Sequence, residues 1–334
     1  MAKVEESSKN FSLKEYPFPT EEIPRLSINN PETDRRIAAG LPVVIEDSRL
    51  VQSALHWDLD YLQENIGDGK FTVYKSKNKR FQYFDDKKID SNKNFQKPME
   101  HLDLTFPEFV NKLKTAKPGK DRVYLQQALN EGVGKRIVAD FLGFNWSWVT
   151  EQQKKNKFGP LTSNLLLIGM EGNVTPAHYD EQENFFTQIR GYKRFILFHP
   201  DRQSQFKCMY PYPTYHPCDR QNQVDFDNPD YKKFPKFKDA KGYETVVGPG
   251  DILYLPMYWW HHVESLPDYG HTISVTFWYK AGPIGNIVYP LTPQQKVSMM
   301  RNIEKMIHQA LNDPDEVPEF MQNMVLGRYT EPPA

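Results

Sequence analysis

Apolar residues follow a strand-like pattern over most of the second half of the chain. Short runs of apolar, β-branched and aromatic residues alternate with segments rich in Gly and Pro, which is typical of successive strands. The predicted strands cover 164–170, 184–189, 194–198, 243–247, 251–255 and 272–278. Gly191 and the Gly248-Pro-Gly250 segment provide tight turns between neighbouring strands.

The first half mixes shorter strands with helical segments. Strands are predicted over 41–45, 71–74, 81–84 and 123–125, and helices over 50 to about 67, 107–116 and 134–142. Pro107 suits the first turn of a helix, and Gly119 follows the end of that helix. Residues 1–20 are polar and are expected to be loose.

Two amphipathic helices are predicted at the end of the chain. Thr292 can cap the first helix, and Pro293 takes its first position. Its apolar stripe consists of Val297, Met300, Ile303, Met306, Ile307 and Ala310. The second helix covers 317–326 and stops at Gly327. These helices could pack on their own sheet or pair with a second subunit, and periodicity does not separate the two arrangements.

Composition narrows the class of protein. The 334 residues suffice for one large domain, and 13% of them are aromatic, which suits strands and pocket walls. The formal net charge of −1 gives no global attraction for nucleic acid or for anionic membranes. Two cysteines, no membrane-spanning segment and no signal peptide lead us to expect a cytoplasmic and nuclear protein.

The candidate chemistry follows the strand predicted at 164–170. His178 and Asp180 stand two positions apart, and alternate residues of a strand share one face, so both side chains could bind one metal ion. The spacing recurs in His56-Trp-Asp58, His101-Leu-Asp103 and His262-Val-Glu264. The first of these falls in a helical pattern and the second in a polar loop, which favours His178 as a ligand. A structural histidine is the alternative at that position.

A third ligand is expected from a later strand. Two histidines and one carboxylate leave three adjacent positions open, as in non-heme Fe(II) oxygenases. The apolar run after Gly248-Pro-Gly250 leads to the pair His261 and His262. In an extended backbone these two side chains point to opposite faces, so one of them is the expected ligand, and the sequence alone leaves both open.

Lys193 is a candidate for binding an anion. A lysine buried inside a barrel needs an anionic partner, which a dicarboxylate cosubstrate would supply. The hydroxyl groups of Tyr124 and Thr175 could assist as donors. The alternative is an ordinary exposed lysine in a turn.

These motifs together resemble the JmjC and cupin group of Fe(II)/2-oxoglutarate dioxygenases. The resemblance rests on His178-x-Asp180, on Lys193 and on the Pro-Gly-Asp and Trp-Trp-His261 run. Segments 161–182, 217–221, 224–231 and 242–251 extend it to the asparaginyl hydroxylases of that group, and the likeness covers about 17–329. It implies a mostly β fold with flanking helices and a double-stranded β-helix (jelly-roll) core. The implied divisions are a loose segment at 1–20, the JmjC-type domain with an N-terminal α/β elaboration at 21–290, and dimerising helices at 291–334.

The resemblance also implies roles for single residues. It makes His178, Asp180 and His261 the catalytic Fe(II) ligands and turns His262 away. Lys193, Tyr124 and Thr175 would hold the distal carboxylate of 2-oxoglutarate. The pocket around the cosubstrate would include Asn184, Thr276 and Trp278, and the substrate peptide would contact Tyr83, Gln182, Arg220 and Gln221. Thr276 departs from the group, which has Asn there, so we expect altered cosubstrate affinity with activity retained.

The implied activity is hydroxylation of the β-carbon of asparagine in proteins, with O2 and 2-oxoglutarate as cosubstrates and with support from ascorbate. Implied substrates are activation segments of the hypoxia-inducible-factor type and ankyrin-repeat proteins, and the implied assembly is a homodimer. The alternatives are a related JmjC reaction, such as lysine demethylation or hydroxylation of another side chain, and a catalytically silent barrel that acts as a scaffold.

Overall fold

The computed structural model describes residues 11–329 except 91, 93, 117–120, 131, 201–207, 284 and 286. The strands are β1 (Thr20–Glu22), β2 (Arg25–Ser27), β3 (Val43–Glu46), β4 (Lys70–Ser76), β5 (Glu100–Thr105), β6 (Arg122–Ala128), β7 (Leu161–Ser163), β8 (Leu165–Gly169), β9 (Val174–His178), β10 (Glu183–Arg190), β11 (Lys193–Phe198), β12 (Gly242–Val247), β13 (Ile252–Leu255), β14 (Trp260–Ser265) and β15 (Thr272–Tyr279). The helices are α1 (Pro31–Ala38), α2 (Leu59–Asn65), α3 (Phe106–Thr115), α4 (Lys135–Leu142), α5 (Trp146–Lys155), α6 (Pro293–Leu311) and α7 (Val317–Val325).

The core is a double-stranded β-helix formed by β8 to β15. One face has the strand order β13-β10-β15-β8 and the opposite face has β12-β11-β14-β9, and all neighbours within each face are antiparallel. Apart from the step from β11 to β12, each strand of this series is followed by a strand of the other face. The mostly β fold with a jelly-roll core is therefore confirmed.

Further strands widen the first face. β2 and β3 extend it beyond β13, while β6, β4 and β5 extend it beyond β8. Helices cover the outer side of this sheet, so strand β10 is buried from Glu183 to Ile189. Phe185 packs at 5.1 Å from Trp148 of α5 and at 5.4 Å from Tyr254, measured between ring centroids. Burial of such a side chain stabilises the folded state by roughly 1.5–3 kcal/mol relative to leaving it exposed. This packing holds the sheet rigid behind the cavity that is described below.

Three of the predictions for the first half differ from the structure. Residues 81–84 do not form a strand, and the isolated bridge beside them joins the preceding residue, Arg80, to Val174. His101 lies in β5 and not in a loop. The helical pattern after residue 50 is broken before α2, where the Asp58 side chain accepts a hydrogen bond from the backbone of Tyr61 and starts a new helix.

Helices α1 and α5 were not predicted. Both begin with an asparagine cap, since the side chain of Asn30 accepts from Glu32 N and that of Asn145 accepts from Trp148 N. Their apolar residues are few, so the periodic signal is weak. Among the helices that the structure describes, none is long and apolar enough to cross a membrane.

The described segments nearest the two chain ends contact the barrel through Phe18 and through Val297 and Arg301. Residues 1–10 and 330–334 lie outside the described part of the chain, and so does the predicted stop signal Gly119. Instead of the loose segment expected at 1–20, Phe18 is buried against Phe198 with ring centroids 5.2 Å apart. Helix α6 begins at the predicted cap, where Thr292 and Gln295 form a capping box.

Candidate metal and cosubstrate site

The two candidate histidine ligands lie opposite each other on paired strands. His178 ends β9 and pairs directly with His261 of β14, which places their ring centroids 4.1 Å apart. Asp180 follows β9, and its Oδ2 lies 3.9 Å from His178 Nε2 and 3.4 Å from His261 Nε2. The three ligand atoms all lie within 4.8 Å of one another. The strand pairing thus gathers one carboxylate and two imidazoles around a single point.

Backbone carbonyls set the orientation of both rings. His178 Nδ1 is 2.9 Å from the carbonyl oxygen of Pro176, and His261 Nδ1 is 3.0 Å from that of Trp259. A proton on each Nδ1 satisfies these carbonyls and leaves each Nε2 lone pair directed at the site. Burial, together with the neighbouring His261, lowers the pKa of His178 to about 3. The lowered pKa of His178 favours its neutral imidazole, which is the form that binds metals.

Asp180 is held as a carboxylate by its neighbours. Burial alone would raise its pKa, but the interactions with His261, His178 and the Arg220 guanidinium lower that pKa well below the usual range. Arg220 Nη1 donates to Asp180 Oδ1 at 3.0 Å, which leaves Oδ2 facing the two histidines. Arg220 has a φ of +70°, an uncommon conformation for a non-glycine residue.

His262, the second histidine of the pair, points away from this point. Its ring stacks on Phe226 with centroids 5.0 Å apart, and its Nε2 lies 3.4 Å from Glu264 Oε1. The strand alternation therefore resolves the choice that the sequence left open, and His261 is the histidine that faces Asp180.

A cavity of about 340 Å³ opens beside the three candidate ligands. Most residues that the resemblance singled out line it, namely Tyr83, Tyr124, Thr175, Asn184, Lys193, Arg220, Gln221, Thr276 and Trp278. Gln182 lies instead in an adjoining groove of about 290 Å³, which shares Tyr83, Asp180 and Arg220 with the cavity. The two spaces form a path from the surface to the candidate metal site.

Lys193 lies inside the cavity, so the exposed-turn alternative is wrong. It is the first residue of β11 and is 2% exposed. Its Nζ donates to Tyr124 Oη at 3.1 Å, and the rings of Tyr124 and Phe186 lie 5.3 and 5.1 Å away. No carboxylate of the described chain pairs with it, and burial lowers its pKa to about 7. A buried cation without a counterion is suited to an anionic ligand.

Three further polar atoms in the cavity have no hydrogen-bond partner among the described residues. They are Asn184 Oδ1, Gln221 Oε1 and Trp278 Nε1, all buried. Since an unsatisfied buried polar atom costs free energy, these atoms indicate a polar ligand that completes them.

The two cavity threonines differ in their surroundings. Thr175 lies on β9 opposite Val263 and lines the same cavity as Lys193. Thr276 is 1% exposed, and its Oγ1 accepts from the backbone nitrogen of Leu165 at 3.2 Å. Because this bond uses an acceptor lone pair, the hydroxyl proton of Thr276 is still available to a ligand.

Arg301 of α6 also reaches this region, and the sequence reasoning missed it. Its guanidinium pairs with Asp219, the residue before Arg220. The signal was its spacing, since Arg301 lies four positions after the buried Val297 and so shares its face of the helix. A charged residue on the buried face of an amphipathic helix indicates a specific partner.

The sequence profile of the cupin-like domain matches residues 30–284. The tRNA wybutosine-synthesizing protein 5 of Gallus gallus is 28% identical over 246 residues, which are 71% of this chain and 70% of that protein. The lysine-specific demethylase 8 of Xenopus tropicalis is 34% identical over 34% of this chain. The JmjC domain-containing protein D of Dictyostelium discoideum is 40% identical over 30% of this chain. The chain spans 24% of that demethylase and 21% of protein D.

Proposed function

This chain belongs to the cupin-like domain family, and we propose that it is an Fe(II)- and 2-oxoglutarate-dependent oxygenase that hydroxylates asparagine in proteins. Its sequence resembles factor inhibiting hypoxia-inducible factor, and the proposal gives it the same activity. The single observation that carries the asparagine target is the unpaired amide oxygen of Gln221 beside the candidate metal ligands.

The candidate ligands fit Fe(II). His178, Asp180 and His261 would hold the metal, because two neutral imidazoles and one carboxylate on one side of an ion leave adjacent positions for other ligands. Bound iron and 2-oxoglutarate would supply the oxidising chemistry with O2, whereas the chain supplies position, orientation and exclusion of water. Arg220 supports this geometry because it occupies Asp180 Oδ1 and leaves Oδ2 to the metal.

The cavity fits a dicarboxylate. Lys193 offers a buried ammonium group without a counterion, and Tyr124 and Thr175 add hydroxyl groups next to it. Asn184, Thr276 and Trp278 line the same space and would contact the cosubstrate between Lys193 and the metal. An anionic ligand there would recover the free energy that the buried Lys193 loses.

The amide of Gln221 is suited to a primary amide. It is 2% exposed, its backbone lies in a bridge with His178, and its Oε1 accepts no hydrogen bond from the described residues. A target asparagine could donate its NH2 group to this oxygen, which would place its β-carbon near the metal. The site should therefore reject target residues that lack this NH2 group, because Gln221 Oε1 would then stay without a hydrogen-bond partner.

Lysine demethylation is the second candidate, since three of the relatives are named lysine-specific demethylases. A methylated ammonium group would need free aromatic faces. The guanidinium of Arg220 lies 5.7 Å from the ring of Tyr83, and the ammonium of Lys193 lies over Tyr124 and Phe186. The chain's own cations therefore occupy these faces, which favours the amide target. The complete ligand set of His178, Asp180 and His261 likewise argues against a silent scaffold.

The adjoining groove would hold the rest of the peptide. Tyr83, Arg220 and Gln182 line it, and Gln182 Oε1 accepts from Thr162 Oγ1 at 2.6 Å, so its NH2 group can face a peptide. By resemblance we propose ankyrin-repeat proteins and activation segments of the hypoxia-inducible-factor type as substrates, in the cytoplasm and nucleus.

We also propose a homodimer through α6 and α7. Apolar side chains on these helices are 38–63% exposed, namely Met299, Met300, Ile303, Met306, Phe320, Met321, Met324, Val325 and Leu326. Exposed apolar side chains in this number on two neighbouring helices favour association with a second copy.

The test is mass spectrometry of ankyrin-repeat peptides after incubation with the protein, Fe(II), ascorbate and 2-oxoglutarate. Peptides with Asn, Asp, His or trimethyl-lysine at the target position are compared. We expect a gain of one oxygen on the Asn peptide, coupled to succinate, and loss of at least 10-fold of that rate in Gln221→Leu. Demethylation of the lysine peptide, or succinate formation without any peptide oxidation, would refute the proposal.

A further inference from the structure

Arg301 connects the C-terminal helix to the candidate metal site. It is 4% exposed, and its guanidinium donates to Glu181 Oε1 at 3.0 Å and to Tyr179 Oη at 2.6 Å. It also donates to both carboxylate oxygens of Asp219, at 2.7 and 2.9 Å. Helix α6 lies beyond residue 284, where the match to the cupin-like domain ends. A residue from outside the matched domain thus reaches the base of the site.

The residues that Arg301 contacts are neighbours in sequence of Asp180 and Arg220. Tyr179 and Glu181 flank Asp180, the only carboxylate of the described ligand set. Asp219 precedes Arg220, which donates to Asp180 Oδ1. One guanidinium therefore bonds to the side chains on both sides of the metal carboxylate and also to the residue that precedes Arg220.

The same helix holds that loop at a second point. Glu304 lies three residues after Arg301, and its Oε1 accepts from the backbone nitrogen of Thr214 at 3.0 Å. Residues three apart share a helix face, so both contacts come from the side of α6 that faces the barrel. Helix α6 therefore contacts the loop from 214 to 221 at its start, through Glu304, and near its end, through Arg301. This loop carries Arg220 and Gln221 into the cavity.

Burial alone would lower the pKa of Arg301, but its bonds and charges with Asp219 raise that pKa above the usual value. Only a planar guanidinium can make the bidentate pair and reach the other two acceptors at once. We propose that Arg301 is a positioning residue for the metal and peptide sites. This inference rests on the proposed metal site, but not on asparagine as the target.

The test measures Co(II) binding by visible absorbance, without peptide, 2-oxoglutarate or O2. Arg301→Gln and Arg301→Lys are compared with wild type and with Lys296→Gln, which removes an exposed cation from the same helix. We expect the Co(II) Kd to rise about 10- to 100-fold in Arg301→Gln, as for other partners of metal ligands. Arg301→Lys should recover part of this loss, and Lys296→Gln should bind as wild type.

A purely structural role gives a different result. It would lower the melting temperature of the Arg301 variants and leave the Co(II) Kd within twofold of wild type at temperatures where they are folded, which would overturn the proposal. If Arg301→Gln does not fold, Arg301→Lys and Asp219→Asn decide by the same criterion. Wild-type protein that fails to bind Co(II) would refute the metal site itself. Normal Co(II) binding without asparagine hydroxylation would refute only the proposed substrate.

Discussion

The buried ammonium group of Lys193 should make 2-oxoglutarate binding depend on pH. Its pKa is lowered to about 7 by burial, so the free protein loses this proton near neutrality. A bound carboxylate would favour the charged form and return the pKa toward or above its usual value. Between these two pKa values, binding of the dianion requires uptake of one proton. The Kd for 2-oxoglutarate should therefore rise about tenfold per pH unit above 7, or about 2.7 kcal/mol between pH 7 and pH 9.

Calorimetry on the oxygen-free, Mn(II)-loaded protein measures this dependence. Titrations in buffers of different ionisation enthalpy at pH 8 should show uptake of about one proton per bound 2-oxoglutarate. Lys193→Met should weaken binding by about 2–5 kcal/mol at pH 6.5 and abolish the pH dependence, because the buried charge partner is gone. Lys70→Met removes an exposed lysine and is the matched control.

The free protein provides an independent check on Lys193. Between pH 7 and about 10.5 the unfolded chain keeps a proton that the folded chain has lost, so wild-type stability should rise with pH over this window. Lys193→Met should lack that rise while remaining folded. A Kd that stays constant from pH 7 to pH 9, or unchanged binding in Lys193→Met, would refute the reasoning.

Three other predictions concern separate parts of the molecule. Asp180→Ala removes the anionic ligand and should reduce turnover and Co(II) affinity by more than about 100-fold; near-normal values in both assays would contradict the ligand assignment. Glu183 has its pKa raised to about 7 by burial, so folding stability should fall by up to about 3 kcal/mol from pH 4.5 to 7. Glu183→Gln should abolish this decrease in stability. If the melting temperatures of wild type and Glu183→Gln depend on pH in the same way, the prediction is refuted. Met306→Glu, at a position 63% exposed, should convert the dimer to a monomer by light scattering, whereas a wild-type monomer at micromolar concentration would refute the dimer.

The barrel was predictable because its strands have strong local signals. Runs such as 194–198 and 272–278 are apolar and β-branched, and turns with Gly191 and Gly250 separate them. The first half was less predictable, since β5 alternates exposed and half-buried residues and α1 has few apolar positions. A weak apolar period leaves such segments without a clear local signal.

The site was predictable in its parts but not in its assembly. Strand alternation placed His178 and Asp180 on one face and separated His261 from His262, yet the pairing of β9 with β14 brings the histidines together. That pairing joins segments far apart in the chain, so local pattern cannot reveal it. The burial of Lys193 and the four bonds of Arg301 depend in the same way on distant elements.

The connection between β11 and β12 is the one place where consecutive barrel strands stay on the same face. Those two strands are hydrogen-bonded neighbours. The long segment between them leaves β11 and enters β12 at the same end of the sheet. Part of this segment also contacts β9, since Gln221 forms a bridge with His178 and the backbone nitrogen of Asn222 donates to the carbonyl oxygen of Ala177. Natural variation at Gln221 could therefore change which peptide is bound, whereas a change at Arg220 would also reach the candidate metal site, because Arg220 donates to Asp180 Oδ1.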